Sequence, residues 1–158
     1  MKLVIKKTKT GKGVFAGQQI KKGESIRAMS GQRLSWGKVE PLVLSGALNV
    51  DDPFQVGENS FMVLDPEPRY FNHSCEPNAG VGEGSVLVAL QDITKGEEIF
   101  FDYSTTVCTH CEWKMSCACG SGACRKVIRN AGSVSKKVLK KYVMLGVLPQ
   151  FIKKELSI

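Results

Sequence analysis

Arg69-Tyr70-Phe71-Asn72-His73-Ser74-Cys75-Glu76-Pro77-Asn78 is the stretch on which the reading of this chain turns. An amide, an imidazole, a hydroxyl and a thiol stand in four consecutive positions ahead of a proline, and neither a helical nor an alternating period runs through them. Buried polar groups of this kind need partners, because an unsatisfied one costs about 1–3 kcal/mol. A second segment, Gly96-Glu97-Glu98-Ile99-Phe100-Phe101-Asp102-Tyr103, adds carboxylates and a tyrosine next to an aromatic pair. Together the two segments outline a site.

The rest of the chain reads as a small β-dominated domain. At 158 residues it is long enough for one hydrophobic core without disulfide staples. Its apolar fraction of 42% and charged fraction of 23% exclude a disordered or fibrous chain. Its longest apolar runs, such as Val86 to Leu90, fall far short of the roughly 18 residues a spanning helix needs. Lys2, Lys6 and Lys7 bracket a brief apolar triplet rather than a signal-peptide core, so classical secretion is not expected and the location is cytoplasmic, or nuclear in a eukaryotic cell. The net charge of +7 attracts acidic or phosphate-bearing partners in general, nucleic acid among them. Lysine and arginine crowd the two ends, and most acids lie between them, which places an acid-tolerant site in the middle of the chain.

Leu3 to Ile5 and Val14 to Ala16 read as strands around the turn Thr10-Gly11-Lys12-Gly13. Ile20-Lys21-Lys22-Gly23-Glu24-Ser25-Ile26 and Ile93-Thr94-Lys95-Gly96-Glu97-Glu98-Ile99 echo one another, each a turn that introduces a strand, but the echo is too short for a repeat. A short helix fits Val39 to Leu44. Strands fit Phe54 to Val56, Ser60 to Leu64, Ser85 to Leu90 and Glu98 to Tyr103. From Ser133 the pattern changes: Val134, Val138, Tyr142 and Leu145 recur at helical spacing with Lys136, Lys137, Lys140 and Lys141 around them. This predicts a helix packed on the core with its lysines in water, broken by Gly146 and Pro149, and a further turn or two from Gln150 to Leu156.

Five of the six cysteines lie between Cys108 and Cys124. Cys117, Cys119 and Cys124 form a C-x-C-x4-C array whose glycines let the loop fold back on itself. A closed tetrahedral zinc site wants a fourth soft ligand. Spacing leaves several solutions open: Cys75 as the fourth ligand, a local ribbon of Cys108 and Cys111 with Cys117 and Cys119, a contribution from His110, or disulfides, which the lack of a secretory signal disfavours.

Four ordered blocks resemble the SET-domain protein lysine methyltransferases: Gly11 to Ala16, Arg69 to Asn78, Gly96 to Tyr103 and Cys117 to Cys124. The resemblance covers roughly residues 3 to 128. It implies a mainly β fold of small curved sheets in which the segment around Asn72 to Cys75 threads beneath Asp102-Tyr103 as a pseudoknot, with a C-terminal helical segment outside it. The implied divisions are 1–106 for the SET domain, 107–128 for a post-SET-like zinc segment and 129–158 for a helical tail. The implied cofactors are S-adenosylmethionine as cosubstrate and a structural zinc ion. By position the cosubstrate contacts become Lys12, Gly13, Val14, Arg69, Asn72, His73 and Tyr103, and the zinc ligands Cys75, Cys117, Cys119 and Cys124. Tyr103 takes the catalytic role of orienting amine and methyl group. Phe61 and Phe101 line the lysine channel, and Phe101, where the family alternates Phe and Tyr, implies room for more than one methyl group. Cys108 and Cys111 fall outside the pattern as extra thiols, free or weakly metal-binding. The implied partner is a basic protein such as a histone. The competing reading is a non-catalytic zinc-stabilised module that binds nucleic acid or protein through its basic ends.

Overall fold

Residues 2–9 and 11–158 are described by the computed structural model; Thr10, in the predicted glycine turn, lies outside them. Strands β1 (Leu3–Thr8) and β2 (Gly11–Ala16) pair antiparallel, from Leu3 opposite Ala16 to Thr8 opposite Gly11. Next come β3 (Ser25–Ala28), β4 (Gly31–Leu34), helix α1 (Trp36–Leu44), β5 (Pro53–Gly57) and β6 (Ser60–Leu64). The middle of the chain holds the short strands β7 (Asn72–His73), β8 (Ala79–Val81), β9 (Val86–Ala89) and β10 (Phe100–Phe101). A last hairpin, β11 (Lys114–Ser116) with β12 (Val127–Arg129), precedes α2 (Lys136–Met144) and α3 (Gln150–Leu156). No helix among the described residues is long and apolar enough to cross a membrane.

Two three-stranded antiparallel sheets, ordered β3-β9-β8 and β4-β6-β5, flank the middle of the chain. Between them β7 and β10 pair in parallel, Asn72 opposite Phe100 and His73 opposite Phe101. The Ser74 amide donates to the Phe101 carbonyl at 3.2 Å. This parallel pairing of two distant segments is the threaded crossover expected of the opening stretch.

The two echoing phrases have a structural meaning. Ile20 and Ile93 form an antiparallel bridge, each amide donating to the other's carbonyl at 2.9 and 2.8 Å. Each phrase is the same turn. The Glu24 carboxylate accepts the Lys21 amide at 2.8 Å, and the Glu97 carboxylate accepts the Thr94 amide at 3.0 Å. The glycine just before each glutamate, Gly23 or Gly96, takes a positive φ of 85° or 90°, a region closed to most side chains.

Some elements depart from expectation. Helix α1 begins at Trp36 rather than near Val39 and continues through Pro41. Glu98 to Tyr103 is not a continuous strand: Glu98 makes an isolated antiparallel bridge with Phe15, and the strand itself holds only Phe100 and Phe101. The Asp102 carboxylate accepts the Ser104 amide at 3.1 Å, and Thr105 Oγ1 donates to the Asp102 carbonyl at 2.7 Å, so the chain turns into a 3-10 helix over Tyr103–Thr106. A local side-chain cap thus overrides the β preference of the aromatic run.

Burial separates into two clusters. One gathers Val14, Ile20, Phe71, Leu87, Ile93 and Ile99 beneath the sheets. The other, around Leu90, Cys108, Ala131, Leu139, Leu148 and Ile152, roots the C-terminal helices. Of the predicted apolar stripe Val134 and Tyr142 are buried and Val138 and Leu145 partly so, although α2 starts only at Lys136, where the Ser135 hydroxyl accepts the Val138 amide. Val134 therefore packs from outside the helix and Leu139 joins from within it. Lys136, Lys137, Lys140 and Lys141 are all exposed. The joint between the clusters is tight at Gly80 of β8, where an added Cβ would stand 2.7 Å from Val147 Cβ. Gly80→Ala is expected to lower stability by about 1–3 kcal/mol in urea unfolding, with Val147→Ala in the same chain recovering part of the loss.

Candidate active site

Extended backbone at Phe71–Asn72 sends successive side chains to opposite sides, and this alternation divides the site into two faces. Asn72 turns toward the β1–β2 hairpin, where its amide nitrogen donates to the Lys12 carbonyl at 2.9 Å and to Glu98 Oε1 at 2.8 Å. Gly13 lies here too, and a Cβ on it would overlap the Glu98 carboxylate. The space a side chain at position 13 would need is taken by the Glu98 carboxylate and the Thr8 methyl. Lys12 lays its ammonium over the Tyr70 ring, 4.9 Å from the centroid, and approaches the Tyr70 hydroxyl at 3.4 Å. Val14 is fully buried, so any ligand contact from it uses the main chain.

Phe71 faces the other side, the wall of a cleft of about 620 Å³. Trp36, Phe54, Phe61, Phe101 and Tyr103 continue its aromatic lining, and Trp36 and Phe61 meet at 5.3 Å between centroids. Asp51, Asp52, Glu58 and Glu112 also line it, so a chain of net charge +7 presents acids where the middle of its sequence concentrates them. Trp113 Nε1 donates to Asp51 Oδ1 at 2.8 Å, tying the segment after Cys111 to the opposite wall. Arg69, grouped by sequence with the Lys12 face, stands here instead and pairs with Asp52 at 3.2 Å.

Tyr103 lines the same cleft and donates its hydroxyl to the Phe71 carbonyl at 2.8 Å. Its ring packs on Phe101, 4.8 Å between centroids. Burial, reinforced by the negative charges of Asp51 and Glu98, pushes its pKa far above the ordinary tyrosine value. The hydroxyl is therefore neutral at physiological pH. It can donate and accept hydrogen bonds, but it does not act as a phenolate base.

His73 does not offer its ring to a ligand. Nδ1 accepts the Tyr103 amide at 3.2 Å, and Nε2 lies 3.3 Å from Cys75 Sγ. Burial pulls its pKa down to about 4, against the attraction of Asp102. A cosubstrate contact from His73 would fall to its backbone.

Two residues further on, Cys75 enters a cluster with Cys117, Cys119 and Cys124, whose sulfurs all lie within 4.8 Å of one another. Cys117 Sγ stands 3.8 Å from Cys75 Sγ and 3.7 Å from Cys124 Sγ. A tetrahedron with Zn–S bonds of about 2.3 Å has S···S edges of about 3.8 Å, so the spacing fits zinc closely. Burial pushes the Cys117 thiol up to about 12. Burial acts on Cys119 too, but donors from the Cys75 backbone and Ser121 outweigh it and hold that thiol at about 5.

Arg125 links this cluster to the cleft. Its backbone amide and Nε both approach Cys75 Sγ at 3.4 Å, while Nη2 donates to Asp102 Oδ1 at 2.5 Å. Asp102 is 2% exposed and immediately precedes Tyr103, and Tyr142 of α2 faces it as well. Arg125→Ala leaves a buried carboxylate without its main counter-charge. Loss of such a partner costs about 3–5 kcal/mol when both groups are fully buried. Because a quarter of the Arg125 side chain is exposed, a smaller loss of about 2–3 kcal/mol in thermal unfolding is expected.

The local zinc ribbon of Cys108 and Cys111 with Cys117 and Cys119 does not form. Cys108 and Cys111 are disulfide-bonded to each other, contrary to the expectation of reduced thiols, and line the cleft. Arg125 and Trp113 carry no motif of their own and Glu98 lies within the Gly96–Tyr103 block, and their partners lie 23 to 62 positions away in sequence. The glutamate in the Gly96–Tyr103 block was the only available signal among them.

Comparison with known proteins agrees with this geometry. The SET domain family model matches residues 11–104. A probable histone-lysine N-methyltransferase of Caenorhabditis elegans, set-23, is 30% identical over 138 residues, covering 75% of this chain and 55% of that protein. The Arabidopsis thaliana histone-lysine N-methyltransferase ASHH1 is 28% identical over 77% of this chain and 27% of its own length. The chain thus spans about half or less of these relatives. The methyltransferase domain of human SETMAR superimposes with a TM-score of 0.64 at 23% identity, over 81% of this chain and 58% of that one, which shows the shared fold. With the parallel crossover of β7 and β10, the ordered blocks and a model matching more than half its length, this chain belongs to the SET-domain family.

Proposed function

We propose that this protein transfers a methyl group from S-adenosylmethionine to the ε-amine of a lysine in a basic protein substrate. The observation that carries the reading is the neutral Tyr103 hydroxyl in an aromatic, acid-lined cleft, with only the Phe71–Asn72 backbone between that cleft and the Lys12 face. The histone-lysine methyltransferases among its relatives support the same chemistry.

On the Lys12 face, the ammonium of Lys12 suits the cosubstrate's carboxylate. Asn72 spends its amide nitrogen on Lys12 and Glu98, which leaves its carbonyl oxygen as an acceptor for the cosubstrate's amine. On the cleft side, Asp51 and Glu112 draw in a lysine ammonium, and the aromatic lining then disfavours it. That second effect is required. At a pKa of about 10.4, only roughly one lysine in 2500 is neutral at pH 7, equivalent to about 4.6 kcal/mol. Desolvation and the positive sulfonium both lower that cost, and the proton leaves to water. The amine lone pair then attacks the methyl carbon in line with its bond to sulfur. A C–N bond forms, the C–S bond breaks, and sulfur keeps the electron pair. Alignment governs such a displacement, and the Tyr103 hydroxyl, fixed by Phe71, is placed to supply it. A zinc ion held by Cys75, Cys117, Cys119 and Cys124 would pin the 117–125 segment beside Asp102 and take no part in the transfer.

Incubation with labelled S-adenosylmethionine and lysine-bearing histone peptides tests the reading; label must appear on lysine, and its absence across basic peptides would refute it. In the same assay Phe101→Tyr, which adds a hydroxyl beside Tyr103, is expected to shift the products from higher methylation states toward monomethyl-lysine by mass spectrometry. The exposed lysines of α2 favour a second reading, a binding module for acidic partners such as nucleic acid. Strongly salt-dependent nucleic-acid binding without cosubstrate affinity would favour that reading.

A further inference from the structure

The proposed transfer leaves one chemical cluster in the cleft wall unused. Cys108, His110 and Cys111 all line the cleft, and one ring nitrogen of His110 lies within 4.8 Å of both sulfurs. The turn that carries them is held by more than its disulfide. The Cys108 amide donates to Gln55 Oε1 at 2.8 Å, and the Thr109 amide donates to Glu155 Oε2 at 2.7 Å. The Cys111 carbonyl accepts from Asn130 Nδ2 at 2.8 Å. These anchors come from β5, from α3 and from the segment after β12, so the turn stays in place when the sulfur bond opens. Donor atoms around a zinc ion stand about 3.5–3.8 Å apart, so opening the Cys108–Cys111 bond must let the two sulfurs separate to that distance.

We propose that in the reduced chain Cys108, His110 and Cys111 bind a second thiophilic divalent cation of the zinc class. Its fourth coordination position faces the cleft, because all three donors line it. This distinguishes the site from the Cys75 cluster, where four thiols close the tetrahedron. The cleft wall then has two chemical states, disulfide and metal-bound. Reduction by a water-soluble phosphine adds two electrons and two protons to the sulfur pair; the phosphine leaves as its oxide, with oxygen from water. Metal binding next releases both thiol protons.

The 158-residue chain, reduced anaerobically with that phosphine, loaded with zinc chloride and desalted, is expected to carry two zinc ions per chain by plasma mass spectrometry. The C108S/C111S double variant is expected to carry one. Equal zinc content in the reduced wild type and the double variant overturns the proposal, whatever the Cys75 cluster holds. His110→Ala retains both thiols and decides the matter if the double variant does not fold. It is expected to weaken the second ion at least tenfold in competition with a chromophoric chelator, and unchanged affinity also overturns the site. None of these readouts depends on methyl transfer.

Discussion

Tyr103→Phe is expected to lower methyl transfer by about 100-fold or more while leaving the affinity for S-adenosylmethionine near that of the wild type. The hydroxyl touches the Phe71 carbonyl and lines the cleft, so its removal takes away a fixed point against which amine and methyl group align. If it contributed only an ordinary neutral hydrogen bond, worth about 0.5–1.5 kcal/mol, the loss would be about tenfold at most. The size of the effect therefore separates alignment from simple binding. The Phe71 carbonyl loses its donor in the variant, with a stability cost of about 1–3 kcal/mol, so thermal unfolding and cosubstrate calorimetry accompany the rate measurement. A fall in the turnover number with little change in KM fits the alignment role. Activity within tenfold of wild type, in a folded variant that binds cosubstrate, would remove Tyr103 from the mechanism.

Cys75→Ser should lose both zinc and activity, although Cys75 does not line the cleft. One sulfur of the tetrahedron disappears, and with it the acceptor that holds the Arg125 amide and Nε. Arg125 in turn neutralises Asp102, the residue before Tyr103, so the loss propagates through two contacts to Tyr103. With Cys108 and Cys111 still bonded, zinc content should fall from one per chain to well below half. The melting temperature should fall by about 10 °C, as a loss of about 3–5 kcal/mol implies for a domain of this size. Methyl transfer should drop more than tenfold. A Cys124→Ser variant, which also removes a sulfur but leaves the Cys75–Arg125–Asp102 chain of contacts, separates the two effects. It should lose zinc to a similar degree and retain more activity. Full zinc content and full activity in Cys75→Ser would break the proposed linkage between metal and cleft.

These two residues also mark how far the site could be read before folding. Tyr103 and Cys75 both lie in short blocks dense with chemistry, and such density is visible in one dimension. The role of Arg125 was not visible there, because an arginine after a cysteine array is equally consistent with a solvated surface. Its importance arises where the 117–125 segment folds back over Asp102, 23 positions away. Glu98 is similar. Within its block it reads as one of two glutamates, yet Glu97 caps a turn while Glu98 occupies the space beside Gly13 and binds Asn72. His73 and Arg69 show the converse. Their place in the motif was legible, but the directions of their side chains were set by packing, toward Cys75 and Asp52 respectively.

By itself the sequence determined the elements whose causes are local: the β1–β2 hairpin, the twin Lys-Gly-Glu turns, the amphipathic C-terminal helix and the block order that identifies the family. Helical and strand periods, glycine turns and cysteine spacing act over a few residues, so a linear reading captures them. The Cys75 partners were implied by the family resemblance and left open by spacing; only the tertiary structure decided that Cys108 joins Cys111, and that the Arg69–Asn78 stretch divides into a Lys12 face and an aromatic cleft. The physical reason is that parallel pairing of β7 with β10 joins segments 28 positions apart. Contacts made by that crossover depend on the path of the whole chain, and no local pattern encodes them.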